Sequence, residues 1–174
     1  FGRKLAKQYG NSPDPLEVID TLGADALRFS LLKTAPIGSD IRFYEDRKGF
    51  KGGEGGKAIK QFDACERGGG SFPQVEEGRN FATKIWNASS YRLMVGADVP
   101  QATEPAEPSS YDLDIRAKLE SFEKEVTQGY ADYRFSHIAE SLYNFFWGDY
   151  CDWYLEAVKG VFRGGTDESK ARVL

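Results

Sequence analysis

The sequence predicts a mainly α protein, an antiparallel helical bundle preceded by a small α+β connecting module. Apolar residues recur at helical spacing in three long stretches, near 75–94, 112–128 and 137–161. Capping residues, prolines and glycines punctuate the gaps between them. The chain has 174 residues, 40% apolar, with 12 Phe, 9 Tyr and 3 Trp, which is enough aromatic volume for a buried core.

Each element follows in order. Asp14 is placed to cap a helix over 15–22, with Pro15 at its first position, Glu17 at the capping-box position and Gly23 to end it. A second helix, Asp25 to Lys33, sets Ala26, Leu27 or Phe29, and Leu31 or Leu32 on a broad apolar face. Ile41 and Phe43 alternate with Arg42 as a short half-buried strand would. Residues 47–74 are rich in glycine and basic, six Lys/Arg against three Asp/Glu, and read as a surface excursion with a short helix near 57–65. Gly56-Lys57 within it is not a phosphate-binding loop, because Lys51 and Ala58 stand where that motif needs Gly and Ser or Thr.

The long helix from Val75 to Met94 puts Phe81, Ile85 and Ala88 on one stripe, with Ala82, Trp86 and Leu93 beside it. Residues 97–109 hold three prolines and read as an extended linker. A helix over 112–128 follows, with Ile115, Leu119, Phe122 and Val126 on its stripe and Gly129 loosening its end. Ser136 is placed to cap the longest helix, 137–161, which carries a wide aromatic face; Thr166 is placed to cap a last one. This divides the chain into 1–46, a small α+β module; 47–74, a glycine-rich basic segment; and 75–174, a helical domain.

Charge and chemistry narrow the function classes. A net charge of −4 argues against binding nucleic acid by bulk charge, so any such contact must use selected basic residues and stacking aromatics. Cys65 and Cys151 lie far apart and make no disulfide framework, and no run reaches the length of a membrane span, so a cytoplasmic protein without a membrane partner is expected. Cys151 sits in the aromatic helix and reads as core. His137, the single histidine, has no nearby ligand partner, so no metal site is expected and a surface position is. Asn87-Ala88-Ser89 matches a glycosylation acceptor but falls mid-helix, where the match is incidental. Trp147, Trp153 and Tyr154 are base-stacking candidates by type, yet a helical aromatic stripe reads first as core.

The chain opens with Gly2-Arg3-Lys4-Leu5-Ala6-Lys7-Gln8-Tyr9-Gly10, two lysines three apart in a loop closed by Asn11-Ser12-Pro13-Asp14-Pro15. Downstream come Gly23-Ala24-Asp25-Ala26-Leu27-Arg28-Phe29, Asp40-Ile41-Arg42-Phe43, Gly78-Arg79-Asn80-Phe81 leading to Trp86-Asn87-Ala88-Ser89, and Phe145-Phe146-Trp147-Gly148-Asp149-Tyr150-Cys151-Asp152-Trp153-Tyr154-Leu155-Glu156. In that order they resemble the valine-specific family of class I aminoacyl-tRNA synthetases. The resemblance implies that the first loop is the family's Lys-Met-Ser-Lys-Ser loop, with Lys4 and Lys7 contacting the ATP phosphates in the full-length enzyme. It implies that residues 1–46 hold the loop and the connecting module, that 47–74 are an insertion, that the bundle is the anticodon-binding domain, and that the partners are valine tRNA, valine and ATP. It also implies a fragment, beginning inside the loop at Phe1 and ending where the next bundle helix would start, and not expected to be catalytic alone.

For contact with tRNA, Arg79, Asn80, Lys84, Asn87 and Arg92 stand on the polar side of the helix after the insertion. Leu5, Ala6 and Gln8 replace the family's Met, Ser and Ser, which leaves a synthetase-like binding or scaffold protein without activation as one alternative; an isoleucine-type relative is a second.

Overall fold

The computed structural model describes residues 4–5, 12–43, 45–46, 71–97, 99–100 and 104–174. The chain separates into two compact units, Phe1–Asn80 and Phe81–Leu174. Lys7, Cys65 and the expected helix at 57–65 lie outside the described residues.

In the first unit, α1 (Pro15–Leu22) starts as expected: the Asp14 carboxylate accepts from Leu16 N at 2.9 Å, and Pro15 occupies the first turn, where its missing N–H costs nothing. Gly23, at φ 97°, closes α1 with its N–H on Ile19 O and leads directly into α2 (Ala24–Lys33). The third helix, α3 (Pro73–Gly96), gives its first two turns to this unit. Val18, Ala26 and Val75 form the core, at 2% exposure or less, with Leu22, Leu27, Phe43 and Phe72 packed around them.

The buried face of α2 is narrower than its apolar pattern suggests. Ala26 and Ser30 are buried, whereas Leu31 and Leu32 are exposed. Small residues win the seam because α3 comes very close: a Cβ on Gly78 would lie 2.5 Å from both Ala26 O and Ser30 Oγ. Ser30 Oγ sits 2.6 Å from Ala26 O and 2.7 Å from Gln74 O, so the buried hydroxyl always has an acceptor. Lys33 and Glu77 pair at the rim.

The strand expected at Ile41–Phe43 does not form. Ile41 is exposed and the segment finds no partner strand among the described residues; the β content there is a single antiparallel bridge between Asp46 and Ser71, with both N–H···O bonds at 2.7 Å. Phe43 packs on the Phe72 ring at 5.5 Å instead. The Arg42 carbonyl accepts from Gln74 Nε2 at 3.0 Å, a side-chain bond in place of a strand ladder, and two alternating apolar residues do not hold a strand by themselves.

The second unit is a helical bundle. After the remaining turns of α3 come α4 (Ser110–Ala131), α5 (Phe135–Tyr143), a π-helical stretch (Asn144–Tyr154), α6 (Leu155–Gly164) and α7 (Asp167–Val173). The helical path from Phe135 to Gly164 is unbroken, since the junction residues Asn144, Tyr154 and Leu155 keep right-handed helical dihedrals. Contacts fix the directions. Ile115 clusters with Tyr154, Lys118 meets Asp149, Phe122 stacks on Phe145 at 5.0 Å and Gly129 faces Ile138, so later residues of α4 meet earlier ones of the second helix and the pair is antiparallel. Phe81 packs on Tyr143 and Phe146, and Tyr91 on Phe162, so α3 runs parallel to that helix.

Two boundaries differ from expectation. Gly129 does not loosen α4; it is buried, and a Cβ there would lie 2.6 Å from Ile138 Cγ1, so its role is close approach of α5. Ser136 does not cap the long helix, which begins at Phe135, two residues earlier than expected, after Arg134 N–H closes the turn onto Gly129 O at 2.8 Å. Thr166 does cap α7, accepting from Ser169 N.

A buried polar knot ties α4, the π stretch and α7 together. Ser109 and Asp112 form a capping box, and Asp112, 2% exposed, also accepts from Tyr154 Oη at 2.6 Å. Arg172 Nε lies 3.0 Å from Asp112 Oδ2, an electrostatic contact rather than a directed hydrogen bond. Burial pushes the Asp112 carboxyl up, but the hydrogen bonds from Ser109 and Tyr154 and the Arg172 charge outweigh it, so the group titrates below the usual carboxylate range.

Candidate nucleic-acid interface

The five residues expected to meet RNA all lie on α3, but the fold treats them differently. Arg79 and Asn80 are exposed in the first unit, and Asn87 is exposed in the second. Lys84 turns inward. Its Nζ pairs with Asp152 Oδ1 at 2.9 Å and sits 4.7 Å from the centre of the Trp147 ring. Arg92 is exposed, with Nε donating to Leu174 O at 2.5 Å. Lys4 lies exposed in the first loop.

Lys118, on α4, repeats the Lys84 arrangement. It pairs with Asp149 at 2.8 Å and Asp114 at 3.3 Å, and its Nζ lies 4.7 Å from the Trp153 ring centre. The hydrogen bond that Lys118 donates to Asp149 pushes the ammonium's pKa up and keeps it charged. Each lysine is thus held between a carboxylate and an indole supplied by the π stretch. These contacts occupy the aromatic stripe: Trp147 is half-buried and stacked on Tyr143, and Tyr154 is buried on Asp112. Burial pushes the Cys151 thiol up, so this core cysteine stays protonated and inert.

His137 serves structure. Its Nε2 lies 2.9 Å from Glu125 Oε1, to which Ser141 also donates. The groove beside it, about 360 Å³, is lined by Glu125, Glu140 and Asp149 against Lys118 and His137, a balance that suits no phosphate.

Trp86 escapes the sequence reading. It is 74% exposed, as Leu93 is at 70%, on the outer face of α3 beside Asn87 and Ser90. The burial stripe runs through Phe81, Ala88 and the flanks Lys84 and Tyr91, which turns Trp86 to the opposite side. Of the expected stripe, Phe81 and Ala88, seven residues apart, are buried, whereas Ile85 and the flanking Trp86 and Leu93 lie exposed.

Comparison with known proteins places this arrangement. Residues 1–44 match the family of class I tRNA synthetases (I, L, M and V), and residues 112–174 match the anticodon-binding domain of tRNA ligases. The chain belongs to the class I tRNA synthetases. Within that class it is similar to valine-tRNA ligases. The Chlorobaculum tepidum enzyme is 36% identical over 183 residues, covering 98% of this chain and 17% of the relative. The Clostridium tetani enzyme is 36% identical, covering 97% and 16%, and that of Prochlorococcus marinus 37% identical, covering 96% and 16%. The chain therefore spans about one-sixth of the length of these relatives.

Proposed function

We propose that this chain is the tRNA-binding segment of a valine-tRNA ligase. The observation that carries the reading is the α4–α7 bundle coinciding with the stretch that matches an anticodon-binding domain, in a chain similar to valine-tRNA ligases over nearly its whole length. The whole enzyme activates valine with ATP, releases pyrophosphate and transfers the valyl group to valine tRNA in the cytoplasm. Lys4 and Lys7 contact the ATP phosphates there, and their charge offsets what builds on the departing pyrophosphate. This chain alone does not catalyse. Residues 1–46 act as the connecting module, 47–74 as an insertion, and 75–174 as the anticodon-binding domain. The names of the relatives support valine over the isoleucine-type alternative and an enzyme over a scaffold.

Arg79, Asn80 and Asn87 offer exposed donors for phosphates, ribose hydroxyls or unstacked bases, and Arg92 offers the outer edge of its guanidinium. Lys84 reaches RNA only by leaving Asp152 and Trp147. Arg79→Ala is expected to weaken binding of valine tRNA and to lower the salt slope of log K by about 0.7–0.9, the share of one phosphate contact. A binding curve and slope identical to the unaltered protein's would remove Arg79 from the interface.

A further inference from the structure

The turn between α4 and α5 gathers aromatic side chains in the open. Tyr130, Tyr133 and Phe135 are 58%, 72% and 41% exposed. The Phe135 ring takes both tyrosines edge-on, at 5.9 and 6.2 Å between centroids. Tyr133 has φ 56°, in the left-handed region that side chains other than Gly, Asn and Asp rarely adopt. The conformation closes the end of α4, where Arg134 N–H reaches Gly129 O at 2.8 Å, and it leaves the Tyr133 ring outside the core. Arg134 sits between the aromatic residues in sequence, its Nη2 anchored 3.0 Å from Asp132 Oδ2.

This turn falls within residues 112–174, the stretch that matches the anticodon-binding domain. The three base-stacking candidates of the sequence in that stretch are engaged: Trp147 lies under Lys84, Trp153 under Lys118, and Tyr154 bonds Asp112. We propose that the turn is a stacking platform for an unpaired nucleobase of tRNA, with Tyr133 as the stacking face, Phe135 backing it and Arg134 supplying the cation. The proposal rests on the tRNA-binding reading and is separate from the residues of α3. Its chemistry favours RNA over a dry protein surface: each tyrosine joins a π face to a hydroxyl, and unpaired bases are held by stacking on aromatic rings and guanidinium planes.

The test is a fluorescence-anisotropy titration of labelled valine tRNA with the full chain and with Tyr133→Asn and Tyr133→Trp. Asparagine tolerates the left-handed backbone, so Tyr133→Asn removes the ring without straining the turn. The expected result is about a tenfold rise in Kd for Tyr133→Asn at an unchanged salt slope, since a stacked base and not a phosphate contact is lost, with binding retained in Tyr133→Trp. Tight binding by the unaltered chain that Tyr133→Asn leaves intact overturns the platform while the tRNA-binding reading stands. So does a loss that appears only as a lowered melting temperature, or only as lost self-association. Absence of binding by the unaltered chain overturns the tRNA-binding reading and the platform with it.

Discussion

Asp112→Ala is expected to destabilise the second unit by about 3–5 kcal/mol, the cost of breaking a buried ion pair from one side. The carboxylate accepts from Ser109 N at 2.7 Å, from Ser109 Oγ at 2.5 Å and from Tyr154 Oη at 2.6 Å, and it faces Arg172. Without it the Tyr154 hydroxyl and the Arg172 guanidinium lose their buried partner, and α4 loses half of its capping box. Tyr154→Phe removes one hydrogen bond and should cost only about 1 kcal/mol. Denaturant unfolding of the three proteins checks the ranking; an Asp112→Ala loss no larger than that of Tyr154→Phe would show the knot to be incidental.

The same carboxyl sets an acid limit. Its folded pKa lies below its unfolded value near 3.9, so its contribution is fully present above that value and is lost as pH falls through the lower folded pKa. Unfolding followed between about pH 5 and pH 2 should show the unaltered protein losing its advantage over Asp112→Asn in that window.

Gly78→Ala is the second large effect. In an exposed helix this change gains about 1 kcal/mol from propensity. Here the new Cβ would sit 2.5 Å from the Ala26 carbonyl, a backbone atom that moves only if α2 and α3 separate. Overpacking of this kind costs about 1–3 kcal/mol or more, so the sign reverses and the first unit is destabilised. Gly148→Ala is the control, because nothing lies within 4 Å of the added methyl. Hydrogen exchange should show faster opening of α1 and α2 in Gly78→Ala and none in Gly148→Ala; matching behaviour of the two would contradict the close approach.

These residues also mark how far the sequence could be read. Local chemistry was legible: Asp14 and Thr166 cap their helices, Gly23 turns the chain, and Ile115 lies in the core of α4, because each depends on neighbours within a turn or two. What depended on a distant surface was not. Leu31 and Leu32 fit an apolar pattern yet lie exposed, since closely packed helices bury only a narrow seam, lined here by Ala26, Ser30 and Gly78, and Trp86 lies exposed because its helix buries the face of Phe81 and Ala88. Asp112 reads as a surface acid until α7 brings Arg172 over it. The inward turn of Lys84 required knowing that Asp152 and Trp147 share one side of a helix nearly 70 residues away. The placement of Arg79, Asn80, Lys84, Asn87 and Arg92 on one helix, α3, was legible, and the exposure of Trp86 and of the Tyr133 turn was not.

Titration of this chain with valine tRNA, an anticodon-altered valine tRNA and isoleucine tRNA at two salt concentrations tests the central claim most directly. An anticodon-binding segment of a valine-tRNA ligase binds the unaltered valine tRNA best, and its preference over the other two persists as salt weakens all three. Equal affinity for the three, falling together with salt, would contradict it.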